Sequence, residues 1–329
     1  MRNTGIYVAY SVFYVLRCHV SQTEKKIHVG GQAVIEGVMM RSPDMMSVAV
    51  RKPDGTIVLK RNPFISLTKR VKLLGWPLIR GGVTLIESMV LGIKALNFSA
   101  DMAMQEEEKA GQVKKKKKHS EKWTRISLGF SVLTALVLGL GLFFYVPLIL
   151  TDLTGVRSGI GFNLIDGAIR MAFFLVYLLL ISQWKEIRRV FEYHGAEHKS
   201  IFAFENNQPL TIKNVQKWST HHPRCGTSFL LVVMLVSLLV FICLGKPQDL
   251  GDRFIRLMFI PVIGGISYEM IRLADKKGSG SLAAVFVAPG LWLQRITTKE
   301  PDDQQLEVAL VALKSALGMK QGSGIEQIP

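Results

Sequence analysis

Cysteine is scarce in this chain and acid is outnumbered. The 329 residues hold three cysteines, Cys18, Cys225 and Cys243. Three is too few for a disulfide scaffold, and the odd number leaves a free thiol, which points to a reducing compartment. Lysine and arginine total 41 against 25 acids, a net charge of +16. The chain also lacks a phosphate-binding G-x-x-x-x-G-K-[ST] loop, a G-x-G-x-x-G after a strand and a G-x-S-x-G elbow. Nucleotide-dependent and serine-based chemistry are therefore without their usual residues. The lysine run is not interleaved with aromatics, so no specific nucleic-acid partner is expected. Apolar residues make up 49% and mean hydropathy is +0.27. Disordered chains are poor in apolar residues, and soluble domains seldom combine such hydropathy with such basicity.

What is present is a series of long apolar runs. Ile126–Leu150 has 25 residues without a charge and Thr227–Gly245 has 19. Either crosses a hydrocarbon core of about 30 Å as a helix. Two further candidates, Ile160–Trp184 and Phe254–Ala274, keep a few ionisable residues. Asp166 and Arg170 stand at i and i+4, where they share a helix face. Arginines near helix ends, such as Arg256 and Arg272, reach the headgroups with their long stems. Basic residues mark the cytoplasmic side. They include Lys114–Lys118 before the first run, seven cations within Lys185–Gly226, and Lys276-Lys277 after the fourth. The other two loops carry only Arg157, Lys246 and Arg253. The sequence thus predicts about four transmembrane helices with both termini cytoplasmic. Leu78–Phe98 is also apolar, but Arg80, Glu87 and Lys94 recur every seven residues as one stripe. It reads as a helix in the cytoplasmic interface, because a crossing would place the lysine run outside. Ser281–Gln294 is short and broken by Pro289, so it reads as interfacial or re-entrant.

The fold class expected is mainly α: a polytopic membrane protein with a small cytoplasmic α+β portion. Met45–Arg61 forms its β-hairpin, with alternating strands around Pro53-Asp54-Gly55. Gly30, Gly31 and Gly37 read as tight turns. Glu300-Pro301-Asp302-Asp303 opens a helix whose Leu306, Leu310, Leu313 and Leu317 make a docking stripe. Residues 1–19 read as a misassigned start or weak extension, with the mature chain beginning at Ser21 or its neighbour. Residues 20–103 hold the glycine-rich segment, hairpin and interfacial helix. Residues 104–124 form a charged linker touching anionic lipid headgroups. Residues 125–275 form the four-span domain, with a cytoplasmic His/Cys loop at 185–226, and residues 276–329 the cytoplasmic tail.

Four of the seven histidines fall in the 29 residues from His194 to His222. His194-Gly195-Ala196-Glu197-His198 is an H-x-x-E-H string. On a helix its histidines lie one turn apart, so both imidazoles reach one metal ion, and Glu197 stands beside them to act on water. Gly195 costs that helix about 1 kcal/mol relative to alanine. His221-His222-Pro223-Arg224-Cys225-Gly226 offers the further ligands a zinc site needs, from His221, His222 and Cys225, with Gly226 turning the chain after the thiolate. The first group follows the second span and the other precedes the third, so antiparallel spans would join them at the cytoplasmic surface. Glu192 and Glu269 are candidate partners behind the ligands. Two other readings stand: histidines serving as interfacial residues, and a metal that only staples the loop.

Gly30-Gly31-Gln32-Ala33-Val34-Ile35-Glu36-Gly37-Val38-Met39-Met40-Arg41 resembles the opening signature of the YqhQ-like bacterial membrane proteins, domain of unknown function 1385. The likeness continues through Arg80-Gly81-Gly82, Tyr193–Lys199, His222–Thr227 and Gln294–Glu307. It implies a bacterial cytoplasmic membrane protein, described in that family as metal-dependent. It also associates Gln32, Glu36 and Arg41 with the site, either lining it or capping turns.

The expected centre has His194, His198, His222 and Cys225 as ligands of a divalent transition metal, zinc first. Glu197 is the general base of metal-assisted hydrolysis, acting on a lipid-linked or membrane-protein substrate. A non-enzymatic platform for a membrane-protein partner and a transporter using Glu269 with Asp166/Arg170 are the alternatives.

Overall fold

The computed structural model describes residues 27–77, 79–109, 121–277, 281–319 and 325–328. The N-terminal extension, the alternative start and the lysine run 114–118 lie outside them. Strands β1 (Gly30–Val34), β2 (Gly37–Arg41), β3 (Met45–Arg51) and β4 (Ile57–Pro63) come first. Helices follow: α1 (Ile79–Lys109), α2 (Glu121–Leu140), α3 (Val146–Leu153), α4 (Gly159–Ile181) and α5 (Lys185–Glu205). Then come α6 (Gly226–Leu244), α7 (Leu250–Met258), α8 (Ile260–Lys277), α9 (Ser281–Thr297), α10 (Asp303–Ala316) and strand β5 (Ile325–Ile328). The chain is mainly helical with one five-stranded sheet. It divides into two compact units. One comprises the described residues of Met1–Glu106, Ser182–Val233 and Gly264–Pro329. The other comprises those of Glu107–Ile181 and Met234–Ile263.

In the first unit β1 to β4 form an antiparallel meander and β5 joins β4 in parallel. The expected hairpin is present, with Val50 opposite Val58. The sheet is covered on both faces. Val38, Met40, Ala49 and Leu59 pack with Tyr193 and Ala196 of α5 and Leu306, Leu310 and Leu313 of α10. Val34, Met39, Val48 and Val58 face Ala95, Phe98 and Met102 of α1. Double coverage explains why Gly37–Met40 is buried without alternation, since inward and outward side chains both meet a core.

The glycine expectation needs correction. Gly30, Gly31 and Gly37 lie within strands. The turn between β1 and β2 is Ile35-Glu36, with Glu36 at φ 50°. At Gly37 a Cβ would stand 2.2 Å from the Ala49 carbonyl oxygen, so close strand approach is what requires glycine there. Gly226 likewise makes no turn; it opens α6.

The terminal helix α10 begins with a capping box. The Asp302 side chain accepts from the Gln305 N–H at 2.7 Å, and Gln305 Oε1 accepts from the Asp302 N–H at 2.9 Å. Its apolar stripe docks on the chain's own sheet. Ser281–Gln294, expected to be broken, belongs to the continuous helix α9, with Pro289 inside it.

Five helices are long and apolar enough to cross a membrane: Ile79–Ala103, Gly129–Leu153, Gly159–Ile181, Gly226–Leu244 and Leu250–Leu273. The count exceeds the expected four by α1. Yet Leu91, Ala95, Phe98 and Met102 of α1 cover the sheet. Two residues of its charged stripe, Arg80 and Glu87, have partners within the protein. Arg80 forms a forked pair with Glu269, Nε donating to Oε1 at 2.6 Å. Glu87 accepts from Ser66 Oγ at 2.7 Å and from the Leu67 N–H at 2.5 Å. Gly81 allows the crossing with α8, because a Cβ there would lie 3.1 Å from Gly265 Cα and 2.9 Å from Tyr268 Cβ. Glu269→Ala alone is expected to lower the unfolding temperature more than the double variant Arg80→Ala/Glu269→Ala. The single change strands a half-buried guanidinium. Additive losses in a double-mutant cycle would contradict this.

In the second unit Asp166 and Arg170 pair at 2.7 Å, as their spacing predicts. Arg256, expected to reach the headgroups, is instead buried, because Asn163 of α4 takes its guanidinium, Nη2 donating to Oδ1 at 2.8 Å. Its guanidinium lies 5.0 Å from the Phe241 ring centre, and that of Arg170 lies 5.5 Å away. Each of these charges has an intramolecular use.

Candidate metal centre

Helix α5 carries the H-x-x-E-H string on the face turned into the first unit, where residues 195–203 are all buried. His194 and His198 lie one turn apart and meet edge to face, with ring centres 4.4 Å apart. Each ring is fixed by a backbone carbonyl. His194 Nδ1 donates to the Thr297 oxygen at 2.8 Å and His198 Nδ1 to the Thr220 oxygen at 2.5 Å. A carbonyl only accepts, so both neutral rings carry the proton on Nδ1 and present a bare Nε2. That arrangement orients ring and tautomer in protein metal sites.

The third donor comes from the turn before α6. Cys225 Sγ lies 3.2 Å from His194 Nε2 and 3.0 Å from Thr227 Oγ1, and the Thr227 N–H points to it at 3.4 Å. The donor atoms of His194, His198 and Cys225 all fall within 4.8 Å of one another. Bonds of about 2.0 Å to nitrogen and about 2.3 Å to sulfur place tetrahedral donors roughly 3.3–3.7 Å apart. The trio could hold a metal ion once its donors draw closer together.

Two clamps hold these segments together. At Gly195 a Cβ would stand 2.1 Å from the Lys299 carbonyl oxygen, and the Lys299 N–H donates to the Phe191 oxygen at 2.9 Å. Glycine thus admits the strand of chain after α9 against α5, which brings Thr297 to His194. Gln294 is fully buried. It accepts from the His222 N–H at 2.7 Å and donates to the His222 oxygen at 2.8 Å and to Ser228 Oγ at 3.1 Å. This fastens the Cys225 turn to α9.

Burial works against charge on His194, yet the Cys225 sulfur and Glu197 beside it carry its pKa up to about 9. Burial also opposes ionisation of Cys225, but His194 and His198 hold the thiol well below its ordinary range. Metal ligation requires a thiolate and neutral imidazoles, so the site supplies the thiolate, and an incoming ion must displace the proton that His194 and Cys225 share. Burial raises the Glu197 carboxyl, opposed by His198 and His194. Glu197 is 5% exposed, and the Gly31 N–H of β1 donates to it. A Cβ at Gly31 would meet Glu197 Oε1 at 2.9 Å and the Met39 oxygen at 2.7 Å. Gly31→Ala is therefore expected to push β1 away from Met39 of β2 and to displace Glu197, while the three donors, on α5 and in the turn before α6, stay in place. A metal affinity unchanged within about threefold, with activity lost, would show it; loss of metal would place Gly31 in the fold instead.

A cavity of about 440 Å³ opens on the centre. The three donors, Glu197, Gln32, Ser88, His222 and Arg224 line it. His222 stays outside the trio: its Nδ1 accepts from the Arg224 N–H at 3.2 Å and its Nε2 lies 3.4 Å from Glu205. Arg224 pairs with the same Glu205. The remaining sequence candidates lie off the cavity. His221 contacts Ser219, and burial lowers its pKa. Glu192 accepts from Gln305 at 2.9 Å, and Glu269 is engaged by Arg80. Glu36 receives both Arg189 donors at 2.5 Å and lies 3.3 Å from the Tyr193 hydroxyl. The Arg41 guanidinium lies over Phe64 at 5.0 Å.

Sequence reasoning took Gly31 for a turn residue and gave no site role to Thr220, Gln294 or Thr297. For Gln294 a signal exists, since it is the one polar side chain closing a charge-free helical run. Carbonyl donors such as those of Thr220 and Thr297 leave no mark in side-chain pattern.

Residues 76–319 match the family described as "Protein of unknown function (DUF1385)". The chain is 36% identical over 312 residues to "Uncharacterized protein YqhQ" of Bacillus subtilis (strain 168), covering 91% of this chain and 95% of that protein. No solved structure matches. The chain belongs to the DUF1385 family of YqhQ-like proteins.

Proposed function

We propose that this protein is a metal-dependent hydrolase of the bacterial cytoplasmic membrane, with its centre at the cytoplasmic face. His194, His198 and Cys225 would hold a divalent ion, zinc by the chemistry of two imidazoles and a thiolate. Such an ion activates water and polarises a carbonyl or phosphoryl group. Glu197 takes the proton from the attacking water and returns it to the leaving group. Its burial supports this, because a raised carboxyl pKa suits proton exchange near neutrality. The observation that carries the reading is the pair of carbonyl-locked imidazoles aimed at Cys225, beside a buried carboxylate, in an open cavity. Three donors leave a position for substrate, whereas a purely structural zinc site closes with four. In this reading α1 lies in the interface, four helices span, and both termini are cytoplasmic. A lipid-linked or membrane-protein substrate suits a cavity lined by Gly226 and Thr227 at the start of an apolar helix.

Cobalt substitution tests the ligand set. Thiolate-to-cobalt charge transfer in the near ultraviolet, absent in Cys225→Ser, is the expected result; cobalt binding without that band would remove Cys225 from the set.

A second reading rests on the 3.2 Å approach of His194 Nε2 to Cys225 Sγ. A thiolate at a helix start beside an oriented imidazole is also the geometry of a cysteine nucleophile. Stoichiometric alkylation of Cys225 in protein already carrying metal would favour it, since ligation masks the thiolate.

A further inference from the structure

The segment between β4 and α1 carries large apolar side chains that the described residues leave exposed. Ile65, Leu67, Val71, Leu73, Trp76 and Ile79 are all exposed, Trp76 at 61% and Leu73 at 56%. Two short helical turns, Leu67–Arg70 and Lys72–Gly75, display them. The patch continues along α1 through exposed Leu85, Ile86, Met89 and Val90. Exposed apolar surface of this extent marks an interaction site.

Charge says which partner. Between Ile65 and Ile79 the chain has Lys69, Arg70 and Lys72 and no acid. The nearest carboxylates are accounted for: Glu87 is bonded to Ser66 and Leu67, and Asp44 lies 3.8 Å from Lys69. Arg70 and Lys72 have no ion pair among the described residues. Cations interleaved with large apolar residues and a tryptophan fit an anionic bilayer surface, which takes the rings and aliphatic chains at headgroup depth and the charges at the phosphates.

Position agrees. Arg80 is tied to Glu269, and Gly81 packs on Gly265 and Tyr268. Glu269 lies one turn before the end of the apolar stretch Leu250–Leu273. Trp76 and Ile79 are within about one helical turn of Arg80. They therefore stand level with the last turn of a helix long and apolar enough to span, where hydrocarbon gives way to headgroups.

We infer that Ile65–Ile79 is a membrane-docking strap that inserts Leu73, Trp76 and neighbouring apolar side chains into an anionic leaflet and so holds the sheet, and the centre beside it, at the bilayer surface. This goes beyond the proposed hydrolase and holds whatever the centre does.

The test uses the full chain with Trp76 as its sole tryptophan (Trp123, Trp184, Trp218 and Trp292 each to Phe). It is reconstituted in phosphatidylcholine vesicles with or without 30% phosphatidylglycerol. Trp76 is expected to be quenched by brominated acyl chains and shielded from iodide in the anionic vesicles. Lys69→Ser/Arg70→Ser/Lys72→Ser is expected to lower the docked-to-free ratio about fivefold per cation, on the order of a hundredfold in all, and to restore iodide quenching. Free access of iodide to Trp76 in both vesicle types would overturn the inference. So would shielding that persists in detergent with a cross-linked dimer, since the patch would then bind a second copy. Hydrogen exchange of the native-sequence protein is the parallel measurement if the sole-tryptophan variant does not fold. Slower exchange of residues 65–77 in anionic than in neutral vesicles is expected, and equal exchange would overturn the inference.

Discussion

Gly195→Ala is expected to destabilise the first unit by about 3 kcal/mol, although helix propensity alone favours alanine by about 1 kcal/mol. The two effects have opposite signs, and geometry decides between them. An added Cβ would stand 2.1 Å from the Lys299 carbonyl and 3.1 Å from Thr220 Cγ2. A backbone oxygen cannot rotate away as a side-chain tip can. The chain after α9 must therefore withdraw from α5, losing the Lys299–Phe191 hydrogen bond and drawing Thr297 away from His194. Loss of that ring partner should weaken metal binding by about 10–100-fold, the effect typical of a displaced outer partner. Denaturant titration of the purified protein and chelator competition measure the two consequences. Unchanged or raised stability would mean that α5 and the Lys299 segment do not meet as described.

Glu197→Gln and His198→Ala should separate chemistry from ligation. The glutamine amide oxygen can still accept from the Gly31 N–H, so the site keeps its shape. Metal affinity in Glu197→Gln is expected to stay within about tenfold of the native protein. Its function is expected to fall by about 10²–10⁴, the range for loss of a general base. His198→Ala removes a donor and should weaken metal binding by more than about 100-fold, beyond what an outer partner costs. Complementation of a deletion strain reads function and chelator competition reads affinity. Full complementation by Glu197→Gln would leave the metal with a structural role, which is the platform reading.

Much of the centre is legible in sequence because ligand spacing on one helix is a local property. His194, Glu197 and His198 needed only the 3.6-residue period, and Cys225 followed from its place before an apolar run. Where His222 points is not local. Its orientation is set by Gln294 on α9 and by Glu205 at the end of α5, more than 15 residues away in either direction. The same contrast runs through the fold. The β3–β4 hairpin shows alternation and a turn motif, and it is where the pattern puts it. The β1–β2 pair has neither, because both faces are buried and its glycines serve close approach rather than turning. Helix α1 has the composition of a span, but its charged stripe set it apart in the sequence, and its apolar side chains Leu91, Ala95, Phe98 and Met102 pack on the sheet.

Elemental analysis of the tag-free protein beside His194→Ala/His198→Ala is the most direct test of the metal centre. About one equivalent of zinc or another divalent transition metal per chain, absent from the variant, is the result predicted by the carbonyl-locked imidazoles and the low-pKa thiol of Cys225. No metal in either protein after reconstitution under reducing conditions, or equal metal in both, would contradict it.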